Sequence, residues 1–256
     1  MADYDILGDI AIIKSEGKTK KQKIAEAKLL LSKPHIKTVL EKATNVKGRL
    51  RTIKTKHILG IKNKIALHKE NACTFKFNVE SCYFSPRLSN ERQRISEKIT
   101  MNDKVLVMFA GIGVYPIVIY KYKRPMKIVG IELGRECCKY FKENLKLNRI
   151  PEGKIDIIQG DVKKKINSQL GKFDVVIMAR PNLKDTFLEY GLAASKKGTK
   201  LYYYGFCKDS EINLLIKQLG EEANKHKRKL EIVDIVPAGE IAPFKHRFRI
   251  EIKLLN

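Results

Sequence analysis

The residues best placed to do chemistry in this sequence are two glycines and two carboxylates. Gly111 and Gly113 stand in the turn Ala110-Gly111-Ile112-Gly113, directly after the apolar run Val105 to Phe109. Glu132 ends the next apolar run, Lys127 to Ile131, and Asp161 follows Gly160 at the end of a third, Lys154 to Gln159. Glycine has no Cβ, so its backbone can approach a ligand closely. A carboxylate about 20 residues after such a turn, at a strand end, can accept hydrogen bonds from the two ribose hydroxyls of an adenosine. A GxG pair alone also serves plain turns, and the strand-terminal acid is what favours a nucleotide-type cofactor. Asp161 stands where a ligand lies above the carboxyl ends of a parallel sheet.

Holding these residues in place requires a strand, turn, helix, strand unit and its continuation. Arg135 to Leu147 puts Cys138, Phe141, Leu145 and Leu147 on or near one helical face. Lys172 to Met178 is a continuous apolar run, as in a strand buried on both faces, and it runs into Ala179-Arg180-Pro181-Asn182. Helices are predicted over Asp185 to Ala194 and Glu211 to His226, and strands over Lys200 to Phe206, Leu230 to Val236 and Phe248 to Leu255. The last two strands have no helix between them, which predicts a hairpin on an otherwise parallel sheet. The expected fold is α/β, a Rossmann-like class I methyltransferase sheet of seven strands with the last one antiparallel.

Upstream, Asp5 to Ile13 reads as a strand pair broken at Gly8, and Lys20 to Ser32 has a helical period that Pro34 stops. Short runs follow, and Thr74 to Glu80 alternates Phe75, Phe77 and Val79 with polar residues, a half-buried strand. Residues 1–80 are expected to form a small α+β module that faces RNA, and residues 81–256 the cofactor-binding domain. Pro86 breaks the strand pattern, and Ser89 is expected to cap a helix reaching about Ile99. With Arg92 at the N3 position this is no capping box, which leaves Glu91 free for other work.

Lys and Arg number 52 against 28 acids, a net charge of +24. Charge of that size makes a polyanion the expected partner. The basic residues cluster at several places along the chain rather than in one tail, so they are expected to coat a folded surface. Five cysteines without a CxxC pair indicate neither a zinc site nor a disulfide framework. No run approaches the roughly 18 apolar residues of a membrane span, and the acidic N-terminus lacks the pattern of a signal peptide. A cytoplasmic, monomeric protein is expected.

From Cys82 to Arg92 the sequence resembles the archaeal and eukaryotic tRNA guanosine-37 N1-methyltransferases. The similarity extends over nearly the whole chain: YDILGDIAII, VKGRLRTIKTKHILG from Val46, MFAGIG, IELGRE and EIAPFKHRFRIEIKL. Its most specific part is HKENACTFKFNVESCYFSPRLSNER, which resembles the family's HRENG…FSPRLxxER block. Related aminocarboxypropyl transferases carry a GN-type sequence in place of Pro86-Arg87-Leu88, so these three residues argue for methyl transfer. The likeness begins in the family's central module, and its additional N-terminal tRNA-docking domain is expected to be absent.

The resemblance implies S-adenosyl-L-methionine as cofactor and tRNA as partner. Removing the guanine N1 proton needs a base, and the charge that develops on O6 needs a cation. The family pattern puts the base at Glu91 and the cation at Lys69, where the family has arginine. Lysine keeps the charge but loses the planar fork. The family's NLP loop is replaced by Ala179-Arg180-Pro181-Asn182: Ala179 cannot hydrogen-bond through its side chain, and Arg180 is a candidate to replace lost contacts or reach a phosphate. Arg87, Pro181 and Asn182 are expected on the substrate side.

For the cofactor, Gly111 and Gly113 are expected at the methionine part, Glu132 at the ribose, and Asp161 with Val162 beside the adenine. Phe109, Leu133 and Ala179 are expected to wall the pocket, and Arg92 to reach the methionine carboxylate. Val107 stands where the family has an acid. Alternatives at the same tRNA position are methylation of 4-demethylwyosine and aminocarboxypropyl transfer. The non-enzyme alternative is a tRNA-binding protein with a degenerate cofactor site.

Overall fold

The computed structural model describes residues 4–14, 16–45, 48–180, 182–242 and 244–256. Asp5 to Ile13 forms the expected hairpin: β1 (Tyr4–Leu7) and β2 (Ile10–Ile13) pair antiparallel around Gly8, whose φ of +62° suits glycine. α1 (Lys20–Leu31) opens on a capping box in which Thr19 and Gln22 satisfy each other's backbone N–H groups. β3 (Thr38–Lys42) pairs parallel with β2 and antiparallel with β4 (Thr55–Gly60), giving a sheet ordered β1-β2-β3-β4.

A separate hairpin follows, β5 (Ile65–Glu70) and β6 (Cys73–Asn78), with Phe75 and Phe77 fully buried as their alternation predicts. A 3-10 turn at Pro86–Leu88 leads into α2 (Ser89–Glu97). Ser89 is therefore the first helical residue rather than the cap, and Leu88 precedes it without a side-chain cap.

The second sheet holds β7 (Lys104–Met108), β8 (Lys127–Glu132), β9 (Ile155–Gln159), β10 (Phe173–Met178), β11 (Ser195–Lys208), β12 (Leu230–Ala242) and β13 (Lys245–Leu254). Its order is β12-β13-β11-β10-β7-β8-β9, and β13 runs antiparallel to both of its neighbours. This is the seven-stranded sheet that the terminal strand pair predicts. The helices are α3 (Val114–Lys123), α4 (Arg135–Leu147), the short α5 (Val162–Lys165), α6 (Leu188–Ala193) and α7 (Ile212–Lys225).

Alternation along the strands divides the core between the two faces of this sheet. Val105, Val107, Val175, Ile177, Tyr202 and Tyr204 join α3 and α4 on one face. Leu106, Met108, Val176, Met178, Leu201 and Tyr203 join α6 and α7 on the other. The first cluster also takes in Leu7, Ile10, Leu40, Phe75 and Phe77, so the N-terminal strands and the methyltransferase sheet share one apolar core. The β5–β6 hairpin is tied to α4 by side-chain to backbone bonds. Asn144 Oδ1 accepts from the Lys76 N–H and Asn148 Oδ1 from the Thr74 N–H, both at 2.8 Å. No helix among the described residues is long and apolar enough to cross a membrane.

Candidate active site

The turn after β7 and the end of β8 lock together through one carboxylate. Glu132 Oε2 accepts the Gly111 N–H at 2.8 Å, and Oε1 accepts the Gly134 N–H at 2.6 Å. Burial raises the Glu132 carboxyl pKa against the opposing pull of these backbone donors. Gly111 has φ +57°, and a Cβ there would point into open space. Gly111, Glu132 and Leu133 line a pocket above the carboxyl ends of the strands, where a ligand belongs in such a sheet.

Phe109, Asp161, Val162 and Ala179 line the same pocket. Phe109 has an unusual φ of +61° and meets Phe187 edge-on, with ring centroids 5.0 Å apart. Asp161 Oδ1 accepts the Lys163 N–H and so caps α5. Its Oδ2 binds Arg49 Nη2 at 2.6 Å. Burial alone would raise the Asp161 carboxyl pKa, but Arg49 and the Lys163 N–H outweigh it and hold it low. The pair holds Arg49, from the segment between β3 and β4, at the pocket wall.

Gly113 does not face the pocket. Its φ is +88°, and the space of its missing Cβ is filled by the Phe141 ring, so helix packing explains this glycine. Val107 is fully buried in the sheet, and its side chain packs in the core rather than lining the pocket. Arg92 is not at the cofactor either. Its guanidinium is buried and grips Glu70 with two bonds, Nε to Oε1 at 2.6 Å and Nη2 to Oε2 at 2.5 Å, and Nη2 also donates to the Ser85 carbonyl. The helix bearing Arg92 turns it toward the β5–β6 hairpin.

Lys69 is likewise outside. It is exposed on β5 and lines a second, shallower depression with Asp9, Lys37 and His68. Arg87 pairs with Asp5 on the surface at 2.8 Å, and Asn182 is exposed and does not line the pocket. Pro181 lies outside the described residues. Arg180 does line the pocket, but its guanidinium is spent on the loop. It donates to the carbonyls of Leu183 (2.7 Å), Asp185 (2.5 Å) and Tyr204 (3.3 Å), leaving Nε buried without a partner among the described residues. Burial lowers its pKa.

Glu91 is 5 % exposed and behind the pocket wall. Its Oε1 accepts the Tyr204 hydroxyl at 2.7 Å, and Arg249 Nη1 lies 3.0 Å from both carboxylate oxygens. Tyr204 in turn accepts the Tyr115 hydroxyl at 2.9 Å, and both tyrosines line the pocket.

Two further cations that the residue pattern did not single out as site residues face the pocket. Arg51 stacks on Tyr83, its guanidinium carbon 4.0 Å from the ring centroid, and its Nε is buried without a partner among the described residues. Arg247 lies over Phe206 at 5.4 Å. Neither has an acidic partner among the described residues. Burial, and then the charge of Arg247, lower the pKa of Arg51. The signal for Arg49 and Arg51 was present in the basic Gly48-Arg49-Leu50-Arg51 segment; Tyr115 and Tyr204 sit inside apolar runs and read as core.

The family model described as the TRM5/TYW2 methyltransferase domain matches residues 66–233, and the one described as the TYW2 N-terminal domain matches residues 1–63. The chain is similar to tRNA (guanine(37)-N(1))-methyltransferase Trm5b of Pyrococcus abyssi, 30% identical over 98% of this chain and 74% of that protein. The crystal structure of that protein covers 99% of the chain with a TM-score of 0.88; the chain spans 75% of it, at 28% identity. The chain is also similar to tRNA (guanine(37)-N(1))/4-demethylwyosine(37)-methyltransferase Taw22 of Nanoarchaeum equitans, 29% identical over 98% of this chain and 99% of that one. Trm5 of Methanocaldococcus jannaschii in complex with adenosine superposes with a TM-score of 0.85 at 28% identity, covering 100% of this chain and 75% of that one.

Proposed function

The chain belongs to the TRM5/TYW2 methyltransferase family, and we propose that it methylates N1 of guanosine 37 in tRNA with S-adenosyl-L-methionine. The observation that carries this reading is a single pocket with two chemically different sides. On one side Gly111, Glu132 and Asp161 fit an adenosine; on the other stand Tyr83, Arg51, Arg247 and the Tyr204–Glu91 pair. The open space above Gly111 leaves room for a ligand against the backbone, and Glu132 holds that turn in place. Bound there, S-adenosyl-L-methionine supplies an electrophilic methyl group on a positively charged sulfur.

The chain's own residues supply the remaining requirements. Guanine N1 holds a proton at neutral pH, and Glu91, reached through Tyr204, is the carboxylate that takes it. The cation expected at Lys69 is replaced by Arg51 and Arg247, the pocket cations without acidic partners among the described residues. They face the charge of the base and its phosphate. Tyr83, stacked against Arg51, offers a flat apolar face for a purine. The net charge of +24 suits a tRNA partner. A monomeric, cytoplasmic protein goes with this reading, in which every residue given a role belongs to one chain. Residues 1–80 serve as the RNA-facing module, with Arg49 and Arg51 as its contribution to the pocket.

A second reading is methylation of 4-demethylwyosine at the same position. It is favoured by Ala179, whose small side chain on the pocket wall leaves space for a larger tricyclic base. Incubation with labelled cofactor and unmodified tRNA bearing guanosine 37, followed by nucleoside chromatography, tests both. The expected product is 1-methylguanosine. Labelling only of tRNA that carries the wyosine precursor would replace the first reading with the second, and no binding of S-adenosyl-L-methionine at high micromolar concentration would sink both.

A further inference from the structure

Glu91 does not line the pocket, yet Tyr204 does, and the Tyr204 hydroxyl donates to Glu91 Oε1 at 2.7 Å. The Tyr115 hydroxyl, on the same wall, donates to Tyr204 Oη at 2.9 Å. Arg249 Nη1 sits 3.0 Å from each Glu91 oxygen. Resting on the methyl-transfer reading, we propose that Tyr204 is the group that contacts the target base and relays its N1 proton to Glu91.

The hydrogen-bond inventory supports this assignment. A tyrosine hydroxyl has one donor and two acceptor positions. Tyr204 spends its donor on Glu91 and one acceptor on Tyr115, which leaves one acceptor for an N–H in the pocket. Among the described residues the bonded neighbours of the Glu91 carboxylate are Tyr204 and Arg249, and of these Tyr204 alone lines the pocket. Arg249 holds the Glu91 carboxylate in place, with one nitrogen 3.0 Å from both oxygens. Burial raises the Tyr204 phenol pKa well above 10, with the charges of Tyr115 and Glu91 adding to it, so the hydroxyl waits in its neutral form.

In the relay the N1–H bond breaks as N1 bonds to the methyl carbon, and the electron pair of the S–CH3 bond stays on sulfur. One proton moves from N1 to Tyr204 Oη while another moves from Tyr204 Oη to Glu91 Oε1. The positive charge on sulfur and the negative charge on Glu91 disappear together, and Glu91 later returns its proton to water.

Tyr204→Phe removes the hydroxyl and keeps the ring. In single-turnover assays its methyl-transfer rate is expected to fall about 100-fold, within the range of general acid–base effects, with affinity for S-adenosyl-L-methionine unchanged by calorimetry. The double variant Y204F/E91Q is expected to be no slower than the slower single variant, since both act in one relay. Wild-type transfer by Y204F, or losses that multiply in the double variant, would overturn the relay.

A readout without turnover is the 19F resonance of 3-fluorotyrosine placed at position 204. It is expected to shift when guanosine-37 tRNA and S-adenosylhomocysteine bind together, and not with adenosine-37 tRNA. An unmoved resonance overturns contact with the base even if Y204F does not fold. A wild-type protein that methylates no purine at position 37 overturns the transfer reading and the relay with it. Wild-type transfer accompanied by an unaffected Y204F overturns the relay alone.

Discussion

Glu91 and Arg249 lie 158 positions apart in the chain and form a buried ion pair, with one guanidinium nitrogen 3.0 Å from both carboxylate oxygens. The pair joins α2 to β13. A buried carboxylate needs such a partner, because leaving one charge alone costs more than the pair contributes. Arg249→Met is therefore expected to destabilise the protein by about 3–5 kcal/mol at neutral pH. Adding Glu91→Gln to that background should recover part of the loss, because the orphaned charge is gone. Urea denaturation of the wild type and the two variants checks both, and a double variant less stable than R249M would contradict this account.

The two glycines of the turn after β7 separate by function. At Gly113 a methyl group would meet the Phe141 ring, and the φ of +88° disfavours any other residue. Gly113→Ala is expected to cost about 2–5 kcal/mol, combining left-handed strain with overpacking. At Gly111 the added methyl points into open space, so Gly111→Ala should cost only about 1–2 kcal/mol of backbone strain. It should also weaken S-adenosyl-L-methionine binding by roughly tenfold, about one lost contact in energy. Thermal melts and calorimetry on both variants measure the contrast.

The sheet was legible because its buried strands are unbroken apolar runs and because a glycine turn and strand-end acids mark one edge. What escaped were features that depend on direction or distance. Lys196, Lys197 and Gly198 read as a loop, yet they extend β11, which runs from Ser195. The stretch Val162–Lys165, three lysines after a valine, has no helical period, and Asp161 makes it a helix by capping it. Arg92 was legible as a cation near the site, but whether its side chain faced the cofactor or Glu70 depends on how α2 packs. Arg49 meets Asp161 across 112 positions, a contact that no local pattern records.

Arg51 and Arg247 carry positive charge into the pocket without acidic partners among the described residues. If they meet phosphate or the developing charge on the base, Arg51→Gln and Arg247→Gln should each weaken tRNA binding. Each should also lower the slope of log affinity against log salt by about 1. S-adenosyl-L-methionine affinity should stay unchanged, because neither residue is needed on the adenosine side. Filter binding across a salt series, paired with calorimetry, reads both quantities. A variant that lost cofactor affinity and kept its salt slope would place that arginine at the methionine carboxylate instead.

Glu70 and Arg92 give the protein a defined weakness to acid. Burial alone would raise the Glu70 carboxyl, but His68, with Nε2 3.7 Å away, and the two hydrogen bonds from Arg92 outweigh it and hold its pKa below the usual carboxylate range. A carboxyl depressed in the folded state contributes stability that is present above its unfolded pKa of about 4.3 and lost as pH falls through the folded value. In Arg92→Met both guanidinium bonds and their charge are gone while His68 remains, so the carboxyl takes up its proton at higher pH than in the wild-type fold. The variant is expected to lose about 3–5 kcal/mol at pH 7, the cost of stranding a buried charge. Its deficit relative to wild type should narrow as pH falls, because Glu70 takes up its proton in the variant before it does in the wild type. Urea unfolding at a series of pH values follows this convergence. A deficit that stayed constant with pH would mean that Arg92 stabilises the fold by packing rather than by holding the Glu70 charge.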